Sequence, residues 1–236
     1  MFTATLVMFA KLPIAGRVKT RLIPVLGEEG AAQLADAFLL DLTARLARTL
    51  DKHIDCLLCF DPPGAQAQFR AALSGIPHSE RFRLVPQGPG DLGRRLAHAL
   101  REVRKIRAAP CAFIGSDAPD VTRRQIVLAL HRARQGRAHI VPARDGGYVL
   151  LALPHQAPTT VFDSIDWSTG AECRQQQARI LESGIPCSVD TTVWSDVDEA
   201  ADLPVLVRSL NATPNLAPRT LAFLRSREPD VAAIRS

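Results

Sequence analysis

Short apolar runs alternate along the chain with stretches whose apolar residues recur every three or four positions. Continuous runs of four to eight apolar residues suit strands buried on both faces, and the wider spacing suits helices with one inward face. Their alternation predicts an α/β fold: a mostly parallel sheet with helices on both faces. Residues 3–9 read as the first strand, and 28–50 as a helix with the stripe Leu34, Phe38, Leu42, Leu46 and Leu50. A second strand, 53–60, stops at the breaker Asp61-Pro62-Pro63-Gly64 and leads into a short helix, 65–73. A third, 82–85, runs into Pro86-Gln87-Gly88-Pro89-Gly90, after which Leu92, Leu96, Leu100 and Val103 mark a helix.

The wholly apolar segment 109–115 is the fourth strand, followed by a helix over 122–135 and a fifth strand over 138–143. There the pattern changes. Arg144-Asp145-Gly146-Gly147 separates the fifth strand from another apolar run, 148–153, and a two-glycine turn between two strands permits a hairpin or a sharp bend. An antiparallel insertion is therefore expected. A helix within 171–183, a strand near 186–189 and a helix from about 199 to 209 complete the reading. Residues 1–213 form one domain on this reading, and 214–236 a peripheral C-terminal extension. No internal repeat or low-complexity segment is present.

Composition narrows the class. A hydrophobic fraction of 47% with 22% charged residues, over 236 residues, is ordinary globular usage, with no apolar run of membrane-spanning length. A cytoplasmic protein without a transmembrane segment is expected. Five scattered cysteines argue against a disulfide framework, and Cys56 and Cys59, three apart on one strand, point to opposite faces. The net charge of +5 comes with one Tyr and two Trp and no interleaving of basic and aromatic residues. A small anionic ligand accounts for the charge better than nucleic acid does.

Candidate chemistry gathers in the loops that follow strands, where parallel sheets bind ligands. Lys11-Leu12-Pro13-Ile14-Ala15-Gly16-Arg17-Val18-Lys19-Thr20-Arg21 sets four cations after strand one, suited to phosphate oxygens. It is not a Walker loop, because Val18 stands where that pattern needs glycine. Gln87-Gly88-Pro89-Gly90-Asp91-Leu92-Gly93 opens a helix; Gln87 has a donor and an acceptor for a base edge, and Asp91 suits an N-cap. Asp117, at the end of the fourth strand, is a natural anchor for a hard cation, whereas Asp120 suits a cap or first-turn acid of the next helix. Asp196 and Asp198 could complete that metal site, while Ser195 and Asp198 also spell a capping box for the helix that follows. The histidines lack metal-ligand spacing, and no nucleophile elbow is present.

In combination, Lys-x-Pro-x-x-Gly-x-x-Lys-Thr-Arg-Leu from Lys11, the segment Gln87 to Gly93, Ser116-Asp117-Ala118-Pro119, Asp145-Gly146-Gly147-Tyr148 and Ile165-x-Trp167-Ser168-Thr169 resemble one family. It is the GT-A-like bacterial transferase family labelled glycosyltransferase or radical-SAM/selenodomain-associated transferase. More distantly the chain resembles the nucleotidyltransferases of molybdenum-cofactor and deazaflavin-cofactor biosynthesis. The resemblance implies a GT-A, Rossmann-like sandwich. It implies phosphate and nucleotide binding by Lys11, Gly16, Thr20, Gln87, Gly88 and Gly93, and charge stabilisation by Lys19 and Arg21. It further implies Mg²⁺ or Mn²⁺ on Asp117 with Asp196 or Asp198, because Asp117-Ala118-Pro119 lacks the Asp-x-Asp of many sugar-nucleotide enzymes.

Asp145 or Asp166 is the candidate base, with an acceptor surface at Gly146, Gly147, Trp167 and Ser168. The expected activity is a metal-dependent transferase using a nucleotide sugar and a small-molecule acceptor. A guanylyltransferase-like nucleotidyl transfer, joining NMP from an NTP to a phosphorylated small molecule with pyrophosphate release, is the alternative, and a non-catalytic nucleotide-binding module the second. Base, sugar, acceptor and oligomeric state stay open.

Overall fold

The structure, a computed structural model, describes residues 3–194 and 196–227. Strands β1 (Ala4–Lys11), β2 (Ile54–Asp61), β3 (Phe82–Pro86), β4 (Cys111–Gly115), β5 (Ala138–Pro142), β6 (Tyr148–Leu153) and β7 (Cys187–Val189) form one sheet in the order β3-β2-β1-β4-β6-β5-β7. β6 runs antiparallel to both of its neighbours, and the other pairings are parallel. The turn at Gly146 and Gly147 thus closes a hairpin between β5 and β6, the insertion expected from sequence. Successive apolar residues of one strand serve opposite faces, as the period of two requires. Leu6, Met8 and Cys56 face one core, and Val7, Leu57 and Cys59 the other.

Helix α1 (Ile23–Thr49) breaks at Gly27, whose φ of 71° and ψ of 168° are not helical, so the regular helix begins after it, where the sequence reading starts it at residue 28. Its Leu39, Leu42 and Leu46 cover the first face together with α2 (Gln66–Leu73) and α4 (Arg123–Arg134). α3 (Leu92–Ile106) and α5 (Glu172–Glu182) cover the second. Asp91 caps α3 by accepting from the Arg94 N–H at 2.8 Å. Thr122 and Gln125 form a capping box on α4. Asp120, expected as a cap or first-turn acid there, is instead buried and accepts from Ser209 Oγ at 3.1 Å, because Thr122 already serves the helix.

The segment expected as a peripheral extension is structured over its described part. α6 (Asp202–Ala212) and α7 (Pro218–Ser226) bury Leu206, Leu210, Leu221 and Leu224 against Leu34 and Phe38 of α1. Buried Asp41 accepts from the Arg219 and Thr220 N–H groups at 3.1 and 2.8 Å, capping α7. Four residues further along α1, Arg45 donates to the carbonyls of Pro119, Val121 and Leu216. That guanidinium ties the loop after β4 to α1 and to the C-terminal helices, and so fixes the backbone that carries Asp117.

Candidate functional site

The chain runs from β1 out to β2 and β3 on one side, then returns to β4 on the other. Between β1 and β4 the order reverses, and the carboxyl ends of strands at such a point open a crevice. A cleft of about 640 Å³ lies there. The loops after β1 and β4 and the turn before α6 meet in it.

Lys19 occupies the centre. Its backbone is left-handed, at φ 47° and ψ 41°, which turns the side chain inward at a strain that a non-glycine residue adopts only where its surroundings compensate. Its Nζ lies 3.1 Å from Asp117 Oδ1 and 2.7 Å from Asp198 Oδ1, with the side chain 5% exposed, and 5.9 Å from the centre of the Phe38 ring. Burial alone would lower its pKa; the charges of Asp117 and Asp198, with their hydrogen bonds, outweigh that and hold the ammonium above its ordinary value. The two aspartates, 81 positions apart by number, are also joined by a hydrogen bond from the Val197 N–H to the Asp117 carbonyl at 3.3 Å.

The capping-box reading of Asp198 does not hold. α6 starts at Asp202, whose carboxylate accepts from the Asp198 and Glu199 N–H groups at 3.0 and 2.7 Å, while the Asp198 carboxylate is given to Lys19. Ser195, the other half of that box, lies outside the described residues. Asp196 does not reach Lys19 in this way. Burial, then the like charges of Asp145 and Asp198, raise its pKa to about 6. Above pH 4 the unfolded state gives up this proton more readily than the folded state, so stability is lost as pH rises from about 4 to 6. Asp196 is half-buried, so with solvent screening about 1 kcal/mol of destabilisation is expected at neutral pH. Asp196→Asn should therefore raise Tm by roughly 2–4 °C at pH 7.5 in chelator and by nothing at pH 4; an equal gain at both would refute the coupling.

Of the other anticipated groups, Lys11, Thr20, Arg21 and Gln87 line the cleft, with Arg17 beside them. Lys11, Arg17 and Arg21 are exposed, Arg21 pairing with Glu199 at 3.3 Å. Gln87 is a correction. Its amide nitrogen donates to the Ala10 and Cys59 carbonyls at 3.1 and 3.0 Å, and its Oε1 accepts from Arg95 Nη1 at 2.8 Å. Both amide hydrogens are spent inside the fold, so none remains for a base edge.

Gly16, Gly88 and Gly93 are outside the cleft lining among the described residues. Gly93 serves packing instead: a Cβ there would stand 2.7 Å from the Phe162 carbonyl and 3.0 Å from Trp167 Nε1.

The anticipated acceptor residues are outside the cleft lining, and their two turns pack on each other. At φ 92°, Gly146 meets Gly170 so closely that a Cβ would lie 2.0 Å from the Gly170 oxygen. That contact joins the Asp145–Gly147 turn to the Trp167–Gly170 turn, where Ser168 is itself left-handed at φ 64°. Asp145 is exposed and accepts from the Gly147 N–H at 2.8 Å, while Asp166 accepts from Gln175 at 2.9 Å.

Sequence reasoning missed Asp61 and Arg95, which face each other across the cleft's other end at 3.6 Å. A signal existed: Arg94 and Arg95 set two cations in the first turn of α3, against the helix dipole.

For a divalent metal, two carboxylate oxygens already converge on one positive centre, the Lys19 ammonium, which stands in for a cation. Among the described residues no three His, Cys, Asp or Glu side chains gather as a ready cage. Two carboxylates nevertheless fit Mg²⁺ or Mn²⁺, since Mg²⁺ sites commonly combine one or two with substrate phosphates and water. No helix among these residues is long and apolar enough to cross a membrane.

Comparison with known proteins places the fold. Residues 42–169 match the profile of DUF2064, described as uncharacterized proteins conserved in bacteria. A Desulfovibrio desulfuricans protein, provisionally described as a nucleotide-diphospho-sugar transferase, is 30% identical over 99% of this chain and 98% of its own, with a TM-score of 0.88. Two structures share the fold at low identity. The 4-diphosphocytidyl-2C-methyl-D-erythritol synthase of Anaerococcus prevotii has 12% identity, covers 95% and 99% and has a TM-score of 0.55. A cytidylyltransferase of Leptospira borgpetersenii has 9%, 92% and 97%, and 0.52. No curated protein matches. With its profile matched over more than half of the chain and one relative alike from end to end, the chain belongs to the DUF2064 family and has the fold of the nucleotide-diphospho-sugar transferases.

Proposed function

We propose that this protein is a metal-dependent transferase that takes a nucleotide-activated donor, in the first instance a nucleotide-diphospho-sugar. The observation that carries the reading is the convergence of Asp117, Asp198 and Lys19 at the base of a cleft rimmed by Lys11, Arg17 and Arg21. A bound Mg²⁺ or Mn²⁺ on Asp117 and Asp198 would supply positive charge to the donor's phosphates. The exposed cations bind and orient the diphosphate, and preorganised charge beside a leaving phosphate accelerates its departure. The name of the Desulfovibrio relative supports the same donor class.

Nucleotidyl transfer is the second reading, and two observations favour it. The rim cations offer enough charge for a triphosphate, and both candidate bases, Asp145 and Asp166, are engaged in local hydrogen bonds that a base-free reaction would leave undisturbed. Melting curves with nucleotide sugars and nucleoside triphosphates, each with and without Mn²⁺, test the common ground, since a ligand that binds the native state raises Tm. A metal-dependent rise with one class is expected; no rise with either would sink the proposal. Release of nucleoside diphosphate then marks glycosyl transfer, and release of pyrophosphate marks nucleotidyl transfer.

A further inference from the structure

Asp120 belongs to a buried charged cluster that neither the cleft nor the apolar core explains. It lies with Arg45 and Asp41 behind the loop after β4, outside the cleft lining, and all three side chains are buried. Asp120 Oδ2 accepts from Ser209 Oγ at 3.1 Å, and Arg45 spends its terminal nitrogens on the Pro119, Val121 and Leu216 carbonyls. The two charges attract each other, yet Asp120 Oδ1 and Arg45 Nε have no hydrogen-bond partner among the described residues. Buried polar atoms left without partners cost stability. A cluster that served stability alone would pair them, so its use lies in where it holds the chain.

What it holds is both halves of the carboxylate pair. Asp198 rides on α6, because the Asp202 carboxylate in the first turn of that helix accepts from the Asp198 and Glu199 N–H groups. Two turns along the same helix, Ser209 reaches Asp120. The Asp117 loop is thus attached to this segment twice, at Asp117 through the Val197 N–H and at Asp120 through Ser209. One hydrogen bond alone is a pivot. A second, seven residues or about 10 Å along the helix from Asp202, fixes the angle. Arg45 completes the ring by holding the same loop and the Leu216 carbonyl between α6 and α7. Divalent cations take carboxylate oxygens within narrow limits, Mg²⁺ most strictly, and the groups that orient those ligands govern affinity.

We propose that Asp120 and Ser209 are positioning residues for Asp117 and Asp198, so that docking of α6 on the β4 loop sets the affinity of that pair for Mg²⁺ or Mn²⁺. This inference rests on the metal reading above. Such coupling is reciprocal: the ion holds α6 to the loop by the same factor as the docked helix tightens the ion. Free Mn²⁺ counted by electron paramagnetic resonance, well below the melting temperature, tests it on the wild type, Ser209→Ala and Ser209→Thr. Ser209→Ala removes only a hydroxyl from a half-buried helix position and should weaken Mn²⁺ binding by about tenfold. Ser209→Thr keeps the hydroxyl and should stay within about twofold of wild type. Hydrogen exchange supplies the reciprocal readout: Mn²⁺ should slow exchange of the α6 amides by about tenfold in the wild type and by about twofold or less in Ser209→Ala.

Circular dichroism melting checks that both variants are folded. A hydroxyl with a merely structural role would lower Tm and leave Mn²⁺ affinity as it was. That result, an equal loss of affinity in Ser209→Thr, or α6 exchange indifferent to Mn²⁺ overturns this inference and leaves the metal reading standing. Failure of the wild type to bind Mn²⁺ overturns both.

Discussion

Asp117→Asn is expected to lower metal-dependent turnover by about 10²- to 10³-fold, the cost of removing one preorganised charge contact from a transition state. The folded state should survive, for three reasons. Asp117 is half exposed, Lys19 keeps Asp198 at 2.7 Å, and the loop's backbone is held independently by Arg45 through the Pro119 and Val121 carbonyls. Turnover measured against Mn²⁺ concentration, beside a melting curve, separates the two effects. The variant should need far more metal for half-maximal rate at an almost unchanged Tm. Wild-type turnover and metal dependence in Asp117→Asn would remove this residue from the site.

Lys19→Met should produce a different signature. The substitution keeps an unbranched chain over Phe38 but leaves two carboxylates around a vacated point, both within 3.1 Å of where the ammonium stood. Stripping one partner from a fully buried pair costs several kcal/mol, but Asp117 and Asp198 are 51% and 44% exposed and water offsets most of that. A loss of about 1–2 kcal/mol in chelator follows, or roughly 2–8 °C in Tm. Turnover should fall by about 10²-fold or more. Mn²⁺ without nucleotide should raise the variant's Tm more than the wild type's, because the ion no longer competes with an ammonium for the same two oxygens. Equal responses to Mn²⁺ would show that Lys19 does not share that position.

Lys19 also marks where sequence reasoning stops. Four cations after a first strand mark a candidate anion-binding loop, and that reading needs only charge, a glycine and a position. Which of the four is neutralised by carboxylates, and which face solvent, depends on residues nearly 180 positions away. Gln87 illustrates the same limit from the other side. Its side chain has the atoms to read a base, but the carbonyls of Ala10 and Cys59 lie within reach only after β1 and β2 are paired, and they take both amide hydrogens. Arg95, one of two cations that the sequence sets at the start of α3, becomes a cleft residue through the contact that Gln87 leaves over.

Local pattern is strong where the physics is local. Continuous apolar runs and a spacing of three to four placed all seven strands and the main helices, Asp91 capped its helix as its residue type favours, and Cys56 and Cys59 went to opposite cores because a strand alternates. The two glycines after Asp145 announced the hairpin that breaks the parallel order. Long-range pairings had no such signal: Ser195 and Asp198 spelled a capping box, and only the fold shows that the Asp198 carboxylate goes to Lys19 while Asp202 serves the start of α6.

By itself, then, the sequence determined the α/β class and the strand-end loops that line the cleft, the basic loop and that of Asp117 among them, since each follows from short-range periodicity, charge and turn chemistry. Tertiary structure alone decided that Asp198 joins Asp117 on Lys19, that Gln87 is a strut, that Arg95 and Asp61 face one another, and that α7 packs on α1. Those are contacts between distant segments, set by sheet order and by which buried polar groups find partners, and no local pattern encodes them.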